Sequence, residues 1–202
     1  MRKYIVYISI AVIAGLIWYG NVKERKLQEG IADKVLRFHV LANSNEEEDQ
    51  NLKVAVRDAV GTYLGSVLKE ADSLEETKAI VSEQMDEVLA VCQETIQEQG
   101  FAYEVTGQLV STHFPRKSYG VYTFPEGEYE ALQIAIGSGE GDNWWCVLYP
   151  NMCFRGTLYE VVEEDAKEEL QEVLSPEEYK GVFDSGKVKL RFKFLEFFQK
   201  RG

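Results

Sequence analysis

Several residue clusters in this 202-residue chain have types that do chemistry in other settings. Ser66-Val-Leu-Lys69 has the Ser-x-x-Lys spacing, in which a serine nucleophile needs a desolvated lysine close by. The pair falls at a helix end in solvent, so the spacing reads as surface composition. Asp184-Ser-Gly186 matches the aspartic-protease triplet, but that chemistry needs two carboxylates sharing a proton and only one triplet is present. Lys187 follows where an apolar strand residue belongs, and Asp-Ser-Gly is ordinary turn chemistry. Gly137-Ser-Gly-Glu-Gly-Asp142 has the glycines of a phosphate loop but no lysine, and Asn143-Trp-Trp145 follows instead of a helix start; it reads as a turn between strands. His39 lies on the more polar face of a strand and His113 just before Phe114-Pro115. His113 and Cys146 would be a base and a nucleophile only if the fold joined them. Two histidines without clustered carboxylates make a poor metal site, and no cofactor is expected.

Cys146 and Cys153 carry more weight. Six residues separate them, and Tyr149-Pro150-Asn151 between them reads as a turn. A hairpin centred there sets the two cysteines opposite each other. Pro150 then takes the third turn position, which calls for a cis peptide or else a longer loop. In an oxidising compartment the pair forms a disulfide worth about 2.5 kcal/mol at most; in a reducing one it is two buried thiols. Cys92 lies on an apolar helix stripe as a core thiol. Trp144 and Trp145 are adjacent, so in a strand they point to opposite faces. Either one is an exposed binding anchor or a second packed layer covers it.

The elements that position these residues begin with Tyr4 to Tyr19, an uncharged run rich in aromatics at its ends. Its length lies between a signal-peptide core and a spanning helix. An uncleaved anchor over residues 1–20 is preferred to a cleaved signal, with the body outside the cytoplasm. Residues 21–30 form a polar stalk, and residues 31–202 form one domain, a size that buries a full core. The net charge of −12 disfavours nucleic acid and anionic lipid as ligands of that body. Val35 to Ala42 reads as a strand, with Leu36, Phe38, Val40 and Ala42 on its apolar face. Capping boxes at Ser44-x-x-Glu47, Ser73-x-x-Glu76 and Ser175-Pro-x-Glu178 start three helices. The first continues through Leu52, Val56, Ala59, Tyr63 and Val67, and the second runs to a left-handed cap at Gly100. Alternation at Phe101, Tyr103 and Val105 and at Leu132, Ile134 and Ile136 marks antiparallel strands. Glu163 to Leu174 is helical, and Val188 to Phe194 alternates with basic residues as a final strand. The expected fold is α+β, an N-terminal hydrophobic anchor followed by a mainly antiparallel sheet packed by two long helices.

Two long segments resemble a known family. Arg37-Phe-His-Val-Leu-Ala-Asn-Ser-Asn45 with Glu48-Asp-Gln-Asn-Leu-Lys-Val-Ala-Val-Arg-Asp-Ala59, and Gly141-Asp-Asn-Trp-Trp-Cys-Val-Leu-Tyr-Pro-Asn-Met-Cys-Phe154, are similar to the signatures of stage II sporulation protein R of endospore-forming Firmicutes. The resemblance spans about 31 to 160, the N-terminal hydrophobic segment also matches, and the tail from 163 onward is less family-like, so nothing is carried over there. It implies a non-catalytic signal, made in the forespore and exported into the space between the septal membranes. There it activates a membrane-embedded aspartic protease that removes the pro-sequence of sigma-E in the mother cell. Candidate contacts with that partner are Asn43, Ser44, Asn45, Asn143, Trp144 and Trp145. The competing readings are a cell-envelope hydrolase using Cys146 or Ser66–Lys69, and a passive membrane-tethered binding module.

Overall fold

The computed structural model describes residues 2–152 and 164–183. Helix α1 (Arg2–Ala32) carries the uncharged run and continues unbroken through the residues expected to be a stalk. Residues 12–20 are solvent-facing, with Leu16, Trp18 and Tyr19 each about two-thirds exposed. Among the described residues no helix is long and apolar enough to cross a membrane. The expected span over residues 4–19 therefore falls short: its uncharged run is about 16 residues, where a spanning helix needs about 20. At the other end of α1, Ile31 is fully buried and Leu27 packs beside it. The helix thus docks on the body through its last turns.

Strand β1 (Leu36–Leu41) follows at once, then α2 (Glu47–Val67), α3 (Leu74–Glu83) and α4 (Met85–Glu98). Strand β2 (Val105–Phe114), the hairpin β3 (Lys117–Tyr119) and β4 (Tyr122–Phe124), then β5 (Gly127–Ile136) and β6 (Asn143–Tyr149) complete the β region. Helices α5 (Glu164–Val173) and α6 (Pro176–Phe183) come last. The main sheet has the order β2-β5-β1-β6. Two of its pairings are antiparallel, β2 with β5 and β1 with β6, but β1 and β5 run parallel. The sheet is mixed because the helical segment α2–α4 returns the chain to the end of the sheet from which β1 emerges, so β5, the next strand but one, copies the direction of β1.

The apolar face of β1 (Leu36, Phe38, Val40) meets Leu132, Ile134 and Ile136 of β5 and Leu52, Val56, Val60 and Leu64 of α2, with Val88, Cys92 and Ile96 of α4 closing the core. The other face is covered by the last turn of α1, the β3–β4 hairpin, α5 and α6. Both faces of β1 are thus buried. Arg37 and His39, expected on a polar face, are 0% and 3% exposed.

Local signals explain the helix ends. Ser73 accepts from the Glu76 backbone N–H at 3.2 Å, and Ser175 and Glu178 cap each other reciprocally. Phe101 N–H to Ile96 carbonyl and Gly100 N–H to Gln97 carbonyl close α4 as a Schellman turn. The long second helix is in fact two, broken at Gln84, whose side chain accepts from the Tyr63 hydroxyl of α2. Phe101 and Tyr103 are not strand residues; they stack on each other ahead of β2, with ring centroids 5.4 Å apart. The Tyr149–Pro150 peptide is cis, the first of the two turn alternatives. Cys153, Asp184-Ser-Gly186 and the alternation from 188 to 194 lie outside the described residues.

Candidate partner-binding edge of the sheet

Both signature segments meet at the end of the sheet where β1 and β5 finish. β5 and β6 flank β1, so the connection 137–142 must pass over the exit of β1, and Asn43-Ser44-Asn45 pins it there. The Asn43 side-chain carbonyl accepts from the Ser138 backbone N–H at 3.0 Å, and the Asn43 backbone carbonyl accepts from the Ser138 hydroxyl at 2.7 Å. The Asn45 side chain accepts from the Asp142 N–H at 2.6 Å, and the Ala42 carbonyl from the Gly141 N–H at 2.9 Å. The glycines are dictated by this crossing. Gly137 has φ +58°, and a Cβ at Gly141 would stand 2.3 Å from the Ser44 backbone carbonyl. The Gly137–Asp142 segment is the expected turn between strands, clasped on both sides.

Ser44 does not cap α2. The N-cap is Glu46, without a side-chain cap. The Ser44 hydroxyl donates to Asp49 Oδ2 at 2.6 Å, and the Asn43 amide donates to the same oxygen at 2.8 Å. Asp49 is 4% exposed, and hydrogen bonds from Ser44, Asn43 and Tyr103 hold its carboxyl below the usual range against the cost of burial. Lys53 and Arg57 follow at four-residue steps, so all three occupy one stripe of α2. Lys53 Nζ donates to the Asp142 carbonyl at 2.9 Å, and burial lowers its pKa. The Arg57 guanidinium lies 5.1 Å from the centroid of the Trp144 ring and is paired with Asp58. This buried polar stripe, unmarked by the apolar periodicity, is what joins the first signature to the second. Its signal was the Asp49–Lys53–Arg57 spacing itself.

Trp144 and Trp145 leave β6 on opposite faces and both are half-buried. Trp144 packs edge-on against Phe38 at 5.6 Å. Trp145 stacks on His39 at 4.9 Å with the planes 8° apart and meets Phe114 at 4.6 Å. The second packed layer is therefore present. Asn143, half-buried, stands opposite Leu41. The six contact candidates lie at one end of the sheet, but Trp145 faces its other side, and Asn43, Ser44 and Asn45 turn polar atoms toward the protein. The outer rim is left to Glu46, Glu47, Glu48, Glu140 and Asp142, all exposed.

Beneath Trp145, Arg37 is enclosed by rings. Its guanidinium lies 4.4 Å from the Phe114 centroid, 5.0 Å from Tyr129, 5.2 Å from Phe124 and 5.8 Å from Tyr119. Nε donates to the Cys146 carbonyl at 2.9 Å, and Nη2 to the Tyr119 hydroxyl at 3.0 Å. Burial lowers the Arg37 pKa, opposed by Tyr119 and Tyr129. Burial also drives His39 down to about 4; its neighbour Gln133 pulls upward, and the Arg37 charge pushes further down.

Among the described residues those with catalytic types do not assemble. The Ser66 hydroxyl donates to the Tyr63 carbonyl at 2.7 Å. His113 is exposed on β2 and faces Glu128 at 3.4 Å, while Cys146 is buried on β6, at the opposite side of the sheet. Cys92 is a buried free thiol whose pKa is raised to about 12 by desolvation. Among the described residues no group of three His, Cys, Asp or Glu is placed to hold a metal ion.

The family model described as stage II sporulation protein R matches residues 32–158, which takes in both signatures and every strand of the sheet. The stage II sporulation protein R of Bacillus subtilis (strain 168) is 36% identical over 163 residues, covering 76% of this chain and 72% of the relative. No solved structure matches this chain. The chain belongs to the stage II sporulation protein R family.

Proposed function

We propose that this protein is an exported sporulation signal that activates the membrane-embedded aspartic protease processing pro-sigma-E. The observation that carries the reading is family membership over the whole sheet and both signatures. In this reading the protein is made in the forespore and acts between the two septal membranes. The apolar half of α1 seats it at a membrane. Binding can switch a protease on only by favouring its active state over its inactive one. The contact surface is the edge built by the Asn43–Asn45 turn and the 137–142 crossing. Cys146 and Cys153 form a disulfide after export.

The test is co-expression with the protease and a pro-sigma-E substrate in a non-sporulating host. Cleavage is expected when this chain carries an export signal and absent when it is retained in the cytosol; equal cleavage in both arms rejects the reading. Thiol titration of the exported protein in denaturant is expected to find one free thiol among the three cysteines. Three free thiols would remove the disulfide and return Cys146 to the list of nucleophiles.

A further inference from the structure

Strand β2 closes the sheet on the side away from β6. Its ten residues pair with β5 without a register shift, from Val105 opposite Ile136 to Phe114 opposite Gly127. In an antiparallel pair alternate residues turn N–H and C=O outward. About half of the β2 backbone therefore faces away from β5, and among the described residues no strand pairs with it.

Edge strands are ordinarily blunted by lysine, proline, a bulge or shortness. β2 has none of these. Val105 through Thr112 is free of charge in a chain whose net charge is −12, so two copies meet least repulsion here. Leu109, near the middle of the strand, is 36% exposed. The two ends carry opposite signs: Glu104 precedes the strand, and Arg116 and Lys117 follow it.

We propose that two copies of this chain pair antiparallel along β2 and join their sheets into one, with Leu109 at the two-fold axis. An axis perpendicular to the sheet keeps each face continuous and sets Leu109 opposite the second copy's Leu109. Gly107 then faces Ser111, and Val105 faces His113. Glu104 of each copy lies near the second copy's Arg116, an attraction made twice. Parallel pairing would place Glu104 beside Glu104 and is disfavoured by the same charges. The inference rests on the sheet edge and is independent of the protease reading.

The test uses the full chain in detergent micelles. Under mild oxidation, Leu109→Cys is expected to crosslink into a reducible dimer well ahead of Val121→Cys, which is more exposed but lies on the distant β3–β4 hairpin. Leu109→Lys is expected to raise the dimer dissociation constant about tenfold by sedimentation equilibrium, with an unchanged circular dichroism spectrum. Glu104→Arg and Arg116→Glu should each weaken the dimer about threefold, and together restore it. This swap gives an answer even where the lysine variant fails to fold. Crosslinking of Leu109→Cys no faster than of Val121→Cys overturns the proposal. So does a single-chain mass at every concentration, the result expected where residues 184–202 or another protein's strand occupy the edge. Strictly additive effects of the two charge reversals overturn the antiparallel pairing.

Discussion

The two faces of β1 solve the same problem with different materials. One buries Leu36, Phe38 and Val40 beneath α2 and α4, and its core is almost wholly aliphatic. The other buries Arg37 and His39 beneath short elements, among Phe114, Tyr119, Phe124, Tyr129 and Trp145. On the aliphatic side stability comes from area and fit. On the other, the faces of aromatic rings partly replace the water taken from a cation, and the carbonyl of Cys146 and hydroxyl of Tyr119 accept two of its hydrogen bonds. A polar residue on a strand thus does not identify the solvent side where rings are available to enclose it.

The largest effect is expected on the aliphatic face. Phe38→Ala should cost about 3–5 kcal/mol in urea unfolding, because α2 and β6 cannot close over the void. A loss of less than about 1 kcal/mol would show that this face collapses freely and would erase the contrast.

The ring-lined face should instead respond to pH. His39 in the folded protein titrates at about 4, below its ordinary value of 6.5. The unfolded chain therefore binds the extra proton first as pH falls. The stability is fully present above about pH 6.5 and is lost progressively toward pH 4, by about 2 kcal/mol between pH 7 and pH 5. His39→Gln should flatten that slope, whereas Phe38→Ala should leave it in place. An unchanged slope in His39→Gln would assign the acid sensitivity elsewhere.

The pinned crossing sits between the two faces. Asn43→Ala strips the Ser138 N–H and Asp49 of a partner each, and should cost about 1–2 kcal/mol. The smallest effect is expected for Arg37→Met, which trades a buried cation for an apolar chain of similar length. It should cost about 1 kcal/mol or less, and the His39 pKa, followed by NMR, should rise as the neighbouring charge disappears. A cost equal to that of Phe38→Ala would mean that Arg37 organises its face as Phe38 does the other.

Much of this architecture was legible in periodicity and capping chemistry. The strand at β1, the starts at Ser73 and Ser175, the stop at Gly100 and the crossing at Gly137–Asp142 each follow from a local rule. What local rules do not contain is the partner across space. The Ser44 box has capping spacing, yet the Ser44 hydroxyl is claimed by Asp49. The helix expected from Ser73 to Gly100 breaks at Gln84, where α2 meets it. Arg37 and His39 look solvent-facing until a second layer, drawn from α1 and from beyond residue 113, covers them. The parallel pairing of β1 with β5 depends on the path of the helical segment, which no strand pattern records. At the candidate edge the sequence names six residues at one end of the sheet but not the direction in which the two asparagines and Ser44 turn.

Helix α1 has 31 residues and no break between its apolar half and the turns that lock onto the body. A straight helix of that length is a rod of roughly 46 Å. Had residues 21–30 been a loose tether, the globule would swivel freely about the first turns. A continuous rod instead fixes both the standoff distance and the azimuth, so that wherever the first turns lie, the same flank of the sheet looks outward.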